Sequence, residues 1–436
     1  MRRERNDRHI IRRVNKKRTS DTIKVVLLAL VMMVSALIIL WHVGNLIPDT
    51  IIERQPPRPG EEGYGYADDY PIYNGEDTHD RAEPDFPTMP PSSVILTGAN
   101  YMDDGGLFEL PIIGATGWAA AMLPVRSSAS PGGDIVVIVQ PGHGFTILET
   151  DGIWWYVQVD YGVSGWVDRN RCFINLPDIL PSIIYQNTNA SGSIMVSGGY
   201  AIPGITGEIM YVARAYNPRL GRDEYFVPGK FSLAQALFVA QQTARANNNT
   251  IIINEVFRPR STQQAIVQGM NTLMSQNPDV RAAISTPPWG LGWFISTGIS
   301  NHQRGAAVDA SMARIRSFEY RQTGDFIYMH VLEFTELFMP TCMHELSPRA
   351  SIVYSPRSIS AADLTNPNLN LRDSVTPGVR DLQYAFGTAG FTPLASEWWH
   401  FDHPASVSTA NSIGINGAFY VDTVVQSRPP VLQEDD

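Results

Sequence analysis

At 436 residues the chain exceeds one ordinary domain, and two or three units are expected. Its 44% apolar content is that of a folding protein rather than a disordered one. Residues 1–24 hold ten Lys/Arg against Glu4, Asp7 and Asp21, so a formal net charge of −10 leaves −17 on the remainder, which argues against a nucleic-acid partner. That basic segment is followed by seventeen residues, Val25 to Trp41, apolar except for Ser35. Extended to Ile47, the run suffices to cross a hydrocarbon core of ~30 Å. All the positive charge precedes it, so the N-terminus is expected inside and the rest outside, a single-pass arrangement in the cell membrane. An uncleaved anchor over 25–47 is preferred to a cleaved leader, because no small-x-small site follows the run.

Residues 48–91 carry nine prolines, and from Asp49 to Asp85 eleven acids face three arginines. Such a stretch buries too little apolar surface to offset its ordering entropy and reads as a disordered, extended linker. From 106 to 175 the texture becomes short β-type runs broken by Gly and Pro, including Asp134–Val139, Phe145–Glu149, Trp154–Val159 and Gly165–Val167. This predicts a small all-β barrel or sandwich. Val125-Arg126-Ser127, Pro131-Gly132 before a strand, Trp155-Tyr156-Val157 and Gly165-Trp166-Val167 together resemble bacterial SH3-like wall-binding domains. Trp154, Trp155 and Trp166 are candidates for a ligand groove, with two of the three expected in the core.

Beyond Asp178, Ser232 and Gln235 predict a capped helix with Leu233, Ala236, Leu237, Ala240 and Ala244 as its buried stripe. Thr250–Phe257 reads as a strand running into Arg258-Pro259, with a helix starting near Ser261. Then comes Ser300-x-His302-x-x-Gly305-x-Ala307-x-Asp309. Alternation along a strand would send Val308 to the core and Asp309 the other way, while Gly305 and Ala306 leave room beside a metal. Thr376-Pro377 caps a further helix. Glu397-Trp398-Trp399-His400 follows, about ninety residues after Asp309. Two imidazoles and a carboxylate leave a fourth tetrahedral zinc position open, and a second carboxylate nearby can move protons.

The paired motifs resemble the zinc D-alanyl-D-alanine peptidases of the VanX/VanY type, over about 178–403. The resemblance implies an α+β catalytic domain (178–410) built on an antiparallel sheet with flanking helices. It implies Zn2+ held by His302, Asp309 and His400, with Glu397 as general base and acid. Arg258, in an aromatic-Arg-Pro element, would stabilise the oxyanion, and Ser300 would contact substrate or support the site. The dipeptidase branch carries Met-x-Thr-x-Phe-Asp, whose Asp binds the ammonium of a free dipeptide. Here Met339-Pro340-Thr341-Cys342-Met343-His344 stands instead, putting His344 at the substrate position and disfavouring a free dipeptide.

The expected activity is therefore a D,D-carboxypeptidase or endopeptidase on peptidoglycan stem peptides, tied to the wall by the SH3-like region and to the membrane by the span. The rivals are cleavage of free D-Ala-D-Ala and a non-catalytic wall-binding scaffold. Trp398 and Trp399 are expected as packing, His403 as a bystander, Cys172 and Cys342 as free thiols, and 427–436 as a disordered tail.

Overall fold

The computed structural model describes residues 96–432 apart from Asp104, Asp160 and Tyr161. The basic segment (1–24), the apolar span (25–47) and the linker (48–91) lie outside the described residues. Among the described residues no helix is long and apolar enough to cross a membrane.

The first part is all-β. Its strands are β1 (Thr116–Ala119), β2 (Leu123–Arg126), β3 (Ile135–Val139), β4 (Gly144–Asp151), β5 (Trp154–Gln158), β6 (Ser164–Asp168) and β7 (Cys172–Asn175). They form one antiparallel sheet in the order β7-β1-β4-β5-β6-β2-β3, and the short strand Pro228–Gly229 adds to the β7 edge. Period-two alternation sets the interior: Trp155 and Val157 of β5, Val125 of β2 and Val167 of β6 are fully buried. Trp154 and Trp166 lie half-buried on the other parity, so one tryptophan of the three is core rather than two.

The mixed α/β part that follows is built on a second sheet. Its strands are β8 (Asn249–Glu255), β9 (Ala307–Thr323), β10 (Phe326–Glu336), β11 (Thr392–Leu394) and β12 (Glu397–Asp402), in the order β11-β12-β9-β8, with β10 pairing the outer length of β9. All these pairings are antiparallel, and only the two-residue strand Ile184–Tyr185 adds to β8 in parallel. Its longer helices are α1 (Phe231–Arg245), α2 (Arg260–Gln276), α3 (Pro278–Ser285), α4 (Pro377–Thr388) and α5 (Pro404–Ile413). The helix α4 starts as its sequence implies, with the Thr376 side chain accepting from Val379 N–H. The α1 capping box does not form. Lys230 occupies the cap position without a side-chain bond, and Ser232 Oγ instead meets Ser406 Oγ at 2.6 Å. The α1 stripe Leu233, Ala236, Leu237, Ala240 and Ala244 is buried as its spacing requires.

The two parts share one hydrophobic core. Phe231, the first residue of α1, packs edge-on against Trp155 of the β-region at 5.7 Å between ring centroids. The chain past residue 410 binds them further. Gly417 C=O accepts from Arg260 N–H, and the Asp422 carboxylate accepts from Gly144 N–H. Gln426 C=O accepts from Thr146 Oγ, and Arg428 N–H donates to Gly114 C=O. Pro430 C=O accepts from Asp325 N–H at the β9–β10 turn. Residues 414–432 thus form a strap, and 427–432, expected as part of a disordered tail, belong to it, because main-chain hydrogen bonds hold what apolar periodicity does not mark; the rest of that tail, 433–436, lies outside the described residues. Cys172 and Cys342 are free thiols.

Candidate metal centre

Four separate stretches bring their side chains to one cleft of about 210 Å3. His302 opens a single 3-10 turn, which Gly305 ends in the left-handed region at φ +59°. A side chain at 305 would run into the Phe173 ring of β7, so this glycine makes room for the β-region rather than for a metal. The chain then enters β9. There Val308 is buried in the hydrophobic core, and Asp309 faces the cleft opposite His400 of β12. Regular alternation would put Glu397 and His400 on opposite faces of β12. The register against β11 breaks between Pro393 and Leu394, and both side chains line the cleft.

His302 Nε2, His400 Nδ1 and Asp309 Oδ1 form a nearly equilateral triangle with sides of 3.1, 3.2 and 3.0 Å. Bonds of about 2.0 Å to a tetrahedral zinc put its ligand atoms about 3.3 Å apart. The other ring atoms fix how each ring is turned. His302 Nδ1 lies 2.9 Å from Val256 C=O, so it carries a proton and Nε2 is the nitrogen turned into the triangle. His400 Nε2 lies 3.2 Å from Asp402 Oδ1, which turns Nδ1 inward in the same way. The donor set and its orientation fit a zinc ion.

Burial would depress the His400 imidazolium, yet Asp402 and Asp309 lift it well above the ordinary histidine range. Burial alone would also raise Asp309. The charge of His302 and hydrogen bonds from His302, His344 and His400 outweigh it and hold this carboxyl well below the usual range. Glu397 sits at the edge of the triangle, 4.0 Å from His400 Nδ1. Burial pushes its pKa up to about 8, against the pull of His400.

Arg258 follows β8. A register shift between Ile253 and Glu255 sets Glu255 opposite Asp309. Glu255 is fully buried, and the Arg258 guanidinium grips its Oε2. Asn189 and Tyr211 donate to Oε1 at 2.8 and 2.7 Å. The fixed guanidinium also reaches Gln263 at 2.8 Å and Asp309 Oδ2 at 3.4 Å. Of its five N–H groups these contacts use four, leaving one on Nη1. The lead-in 178–211 therefore supplies the polar groups that hold Glu255. A second acid-imidazole grouping, Glu255, Asp309 and His344, already has the Arg258 cation beside it.

All the site residues read from sequence line this cleft: Arg258, Ser300, His302, Asp309, His344, Glu397 and His400. Ser300 Oγ accepts from His302 N–H and steadies the turn. The His344 ring is engaged by Asp309 Oδ2 at 3.0 Å. Trp398 and Trp399 are buried packing, with Trp398 Nε1 donating to Thr341 Oγ. His403 turns to Ser406. The motif reading missed Asp402, Glu255, Gln263, Asn189 and Tyr211. Asp402 was within reach, since it stands two residues past His400 in a strand and so shares its face. Glu255 gave a weaker signal, as the acid that ends an aliphatic strand three residues before Arg258.

Residues 114–171 match the family model for the bacterial SH3 domain. No curated protein matches the chain.

Proposed function

We propose that this protein is a membrane-anchored zinc metallopeptidase of the VanX/VanY type that hydrolyses D-Ala-D-Ala-type bonds in peptidoglycan stem peptides outside the cell. The observation that carries the reading is the triangle of His302, Asp309 and His400 with the Glu397 carboxyl at its rim. A zinc ion held by those three ligands would polarise the scissile carbonyl and acidify a water molecule. Glu397 takes the proton from the attacking water and returns it to the leaving nitrogen. Its raised pKa suits a group that must do both near neutral pH. Arg258, immobilised by Glu255 and Gln263, presents its remaining N–H toward the oxygen that gains charge, at no reorganisation cost. The SH3 region would bring the cleft to the wall, and the span over 25–47 would keep it at the membrane surface.

Substrate length is the open choice within this chemistry. His344 offers no carboxylate to a free ammonium, and its ring is committed to Asp309. A pentapeptide stem ending in D-Ala-D-Ala should show kcat/KM at least ~10-fold above the free dipeptide, or about 1.4 kcal/mol in transition-state binding. Purified zinc-loaded protein digesting both, with products weighed by mass spectrometry, decides it. Preference for the free dipeptide would make the protein a dipeptidase. Stoichiometric zinc binding without cleavage of either, or of cross-linked muropeptides, would leave a wall-binding scaffold.

A further inference from the structure

We propose that His344 is a positioning residue for Asp309, holding its carboxylate so that Oδ1 alone faces the metal. The inference rests on the metal-site reading above. A free carboxylate can offer a metal one oxygen or both, and the choice changes the coordination number left for substrate and water. Here the second oxygen is spoken for. His344 Nε2 donates to Asp309 Oδ2 at 3.0 Å, and Arg258 Nη2 approaches the same atom at 3.4 Å. The His344 proton must therefore sit on Nε2, and Nδ1 faces the Thr188 hydroxyl at 3.5 Å.

The backbone shows that this placement is imposed. His344 has φ +61°, and the other non-glycine residues with positive φ among the described residues are Asn187 and Asn248. Few non-glycine residues adopt that region, and those that do persist where the surrounding structure over-determines them. Neighbouring chain holds this conformation in place. Val196 N–H donates to His344 C=O, Leu346 N–H donates to Val196 C=O, and Ser197 Oγ donates to Leu346 C=O. The Glu345 carboxylate accepts from the backbone of Gly198 and Gly199 and from Ser347 Oγ. Trp399, next to His400, closes over the ring edge-on at 6.1 Å. The segment 195–199 thus staples 344–346, and its result is one N–H aimed at the outer oxygen of a metal ligand.

The test compares His344→Ala and His344→Gln with the wild-type full chain in detergent. Gln carries an N–H donor at about the reach of Nε2. Zinc affinity is read by competition with a chromophoric chelator, and folding by thermal unfolding. His344→Ala should weaken zinc ~10–100-fold, as loss of a partner behind a ligand does. His344→Gln should recover most of that loss at an unfolding temperature no higher than that of His344→Ala. Zinc affinity within twofold of wild type in His344→Ala would overturn the proposal, as would a raised KM with zinc binding intact, which marks a substrate contact. Equal weakening in both variants would also overturn it, since the packing of the ring and not its N–H would then matter. If His344→Ala does not fold, the His344→Gln affinity alone decides, near wild type or not. A wild-type chain that retains no zinc would instead sink the metal reading itself.

Discussion

In the SH3 region the interior is made of Val125, Ile147, Trp155, Val157 and Val167, supplied by four strands that lie within about forty residues of one another. In the cleft beside β9 the buried groups are Glu255, Arg258, His302, Asp309, Glu397 and His400, drawn from across some 150 residues and none more than 9% exposed. Burial stabilises the first group directly, by about 1.5–3 kcal/mol for each large apolar side chain. It opposes the second, because a desolvated charge is costly until its partners arrive. The cleft is therefore affordable only inside a frame that the apolar regions make stable. The shared core through Phe231 and the strap over 414–432 are how one region supports the other.

The largest effect should come from the apolar side of that contrast. Trp155→Ala opens a void where β5 meets α1 and should cost about 3–5 kcal/mol in denaturant unfolding of the full chain. Molecules that remain folded should bind zinc as before. A matching loss of zinc affinity in the folded fraction would show that the two regions cannot be separated energetically.

Next comes the chemistry. Glu397→Gln keeps shape and hydrogen-bonding atoms but removes the proposed base. Turnover on a stem pentapeptide should fall by ~10²-fold or more with zinc retained. His400→Ala, His302→Ala or Asp309→Ala should instead abolish tight zinc binding. Zinc lost from Glu397→Gln would make Glu397 a ligand, and zinc retained by a His302→Ala/His400→Ala double variant would break the assignment.

How far each region was legible follows from the same contrast. The strands of the SH3 region are local and alternating, so Gly/Pro punctuation marked them. Trp155 rather than Trp154 is core because it shares parity with Val157. At the cleft, the motif residues His302, Asp309, Glu397 and His400 meet as their spacing suggested. Of their supports only Asp402, on the face of His400, was plainly within reach of the pattern. Glu255 reaches Asp309 only through a register shift after Ile253, and Glu397 reaches the cleft only through the break at Leu394. A sequence carries no sign of such irregularities except the residues they leave on an unexpected face. The strap was missed for another reason: its hold on Gly114, Gly144 and Asp325 is mostly through the main chain, which has no side-chain signature.

A smaller effect tests whether burial or the metal governs Glu397. In chelator-treated protein its carboxyl should titrate at about 8, by carbon NMR of labelled glutamate, because burial disfavours its charged form. This folded value lies above the ordinary 4.5, so the stabilising contribution is full below pH 4.5 and is lost as pH rises through about 8. A bound cation favours the carboxylate, so zinc should lower the midpoint by about one unit or more. In the zinc form, kcat should then rise with pH along a limb centred below 8, because the base must be ionised to accept a proton. A midpoint unmoved by zinc would place Glu397 too far from the metal to serve it.

The smallest effect on stability should come from the outer face of the SH3 region, where its functional value is expected to lie. Trp154 and Tyr156 of β5 point away from the core, and Trp166 of β6 sits directly across from Tyr156 with ring centroids 5.3 Å apart. Half-buried aromatics on a solvated face contribute little to folding compared with Trp155, since removing them leaves no internal void. The same rings give a flat apolar surface with a polar edge, suited to the peptides and sugars of a wall. Trp166→Ala should therefore change unfolding by no more than about 1 kcal/mol and leave zinc affinity and turnover of soluble pentapeptide as they are. Retention on purified sacculi, measured by co-sedimentation, should fall severalfold, and activity on intact wall should fall with it. If sedimentation is unchanged while unfolding drops as far as in Trp155→Ala, the outer aromatics are structural, and the division between a face that binds and a core that holds is wrong for this region.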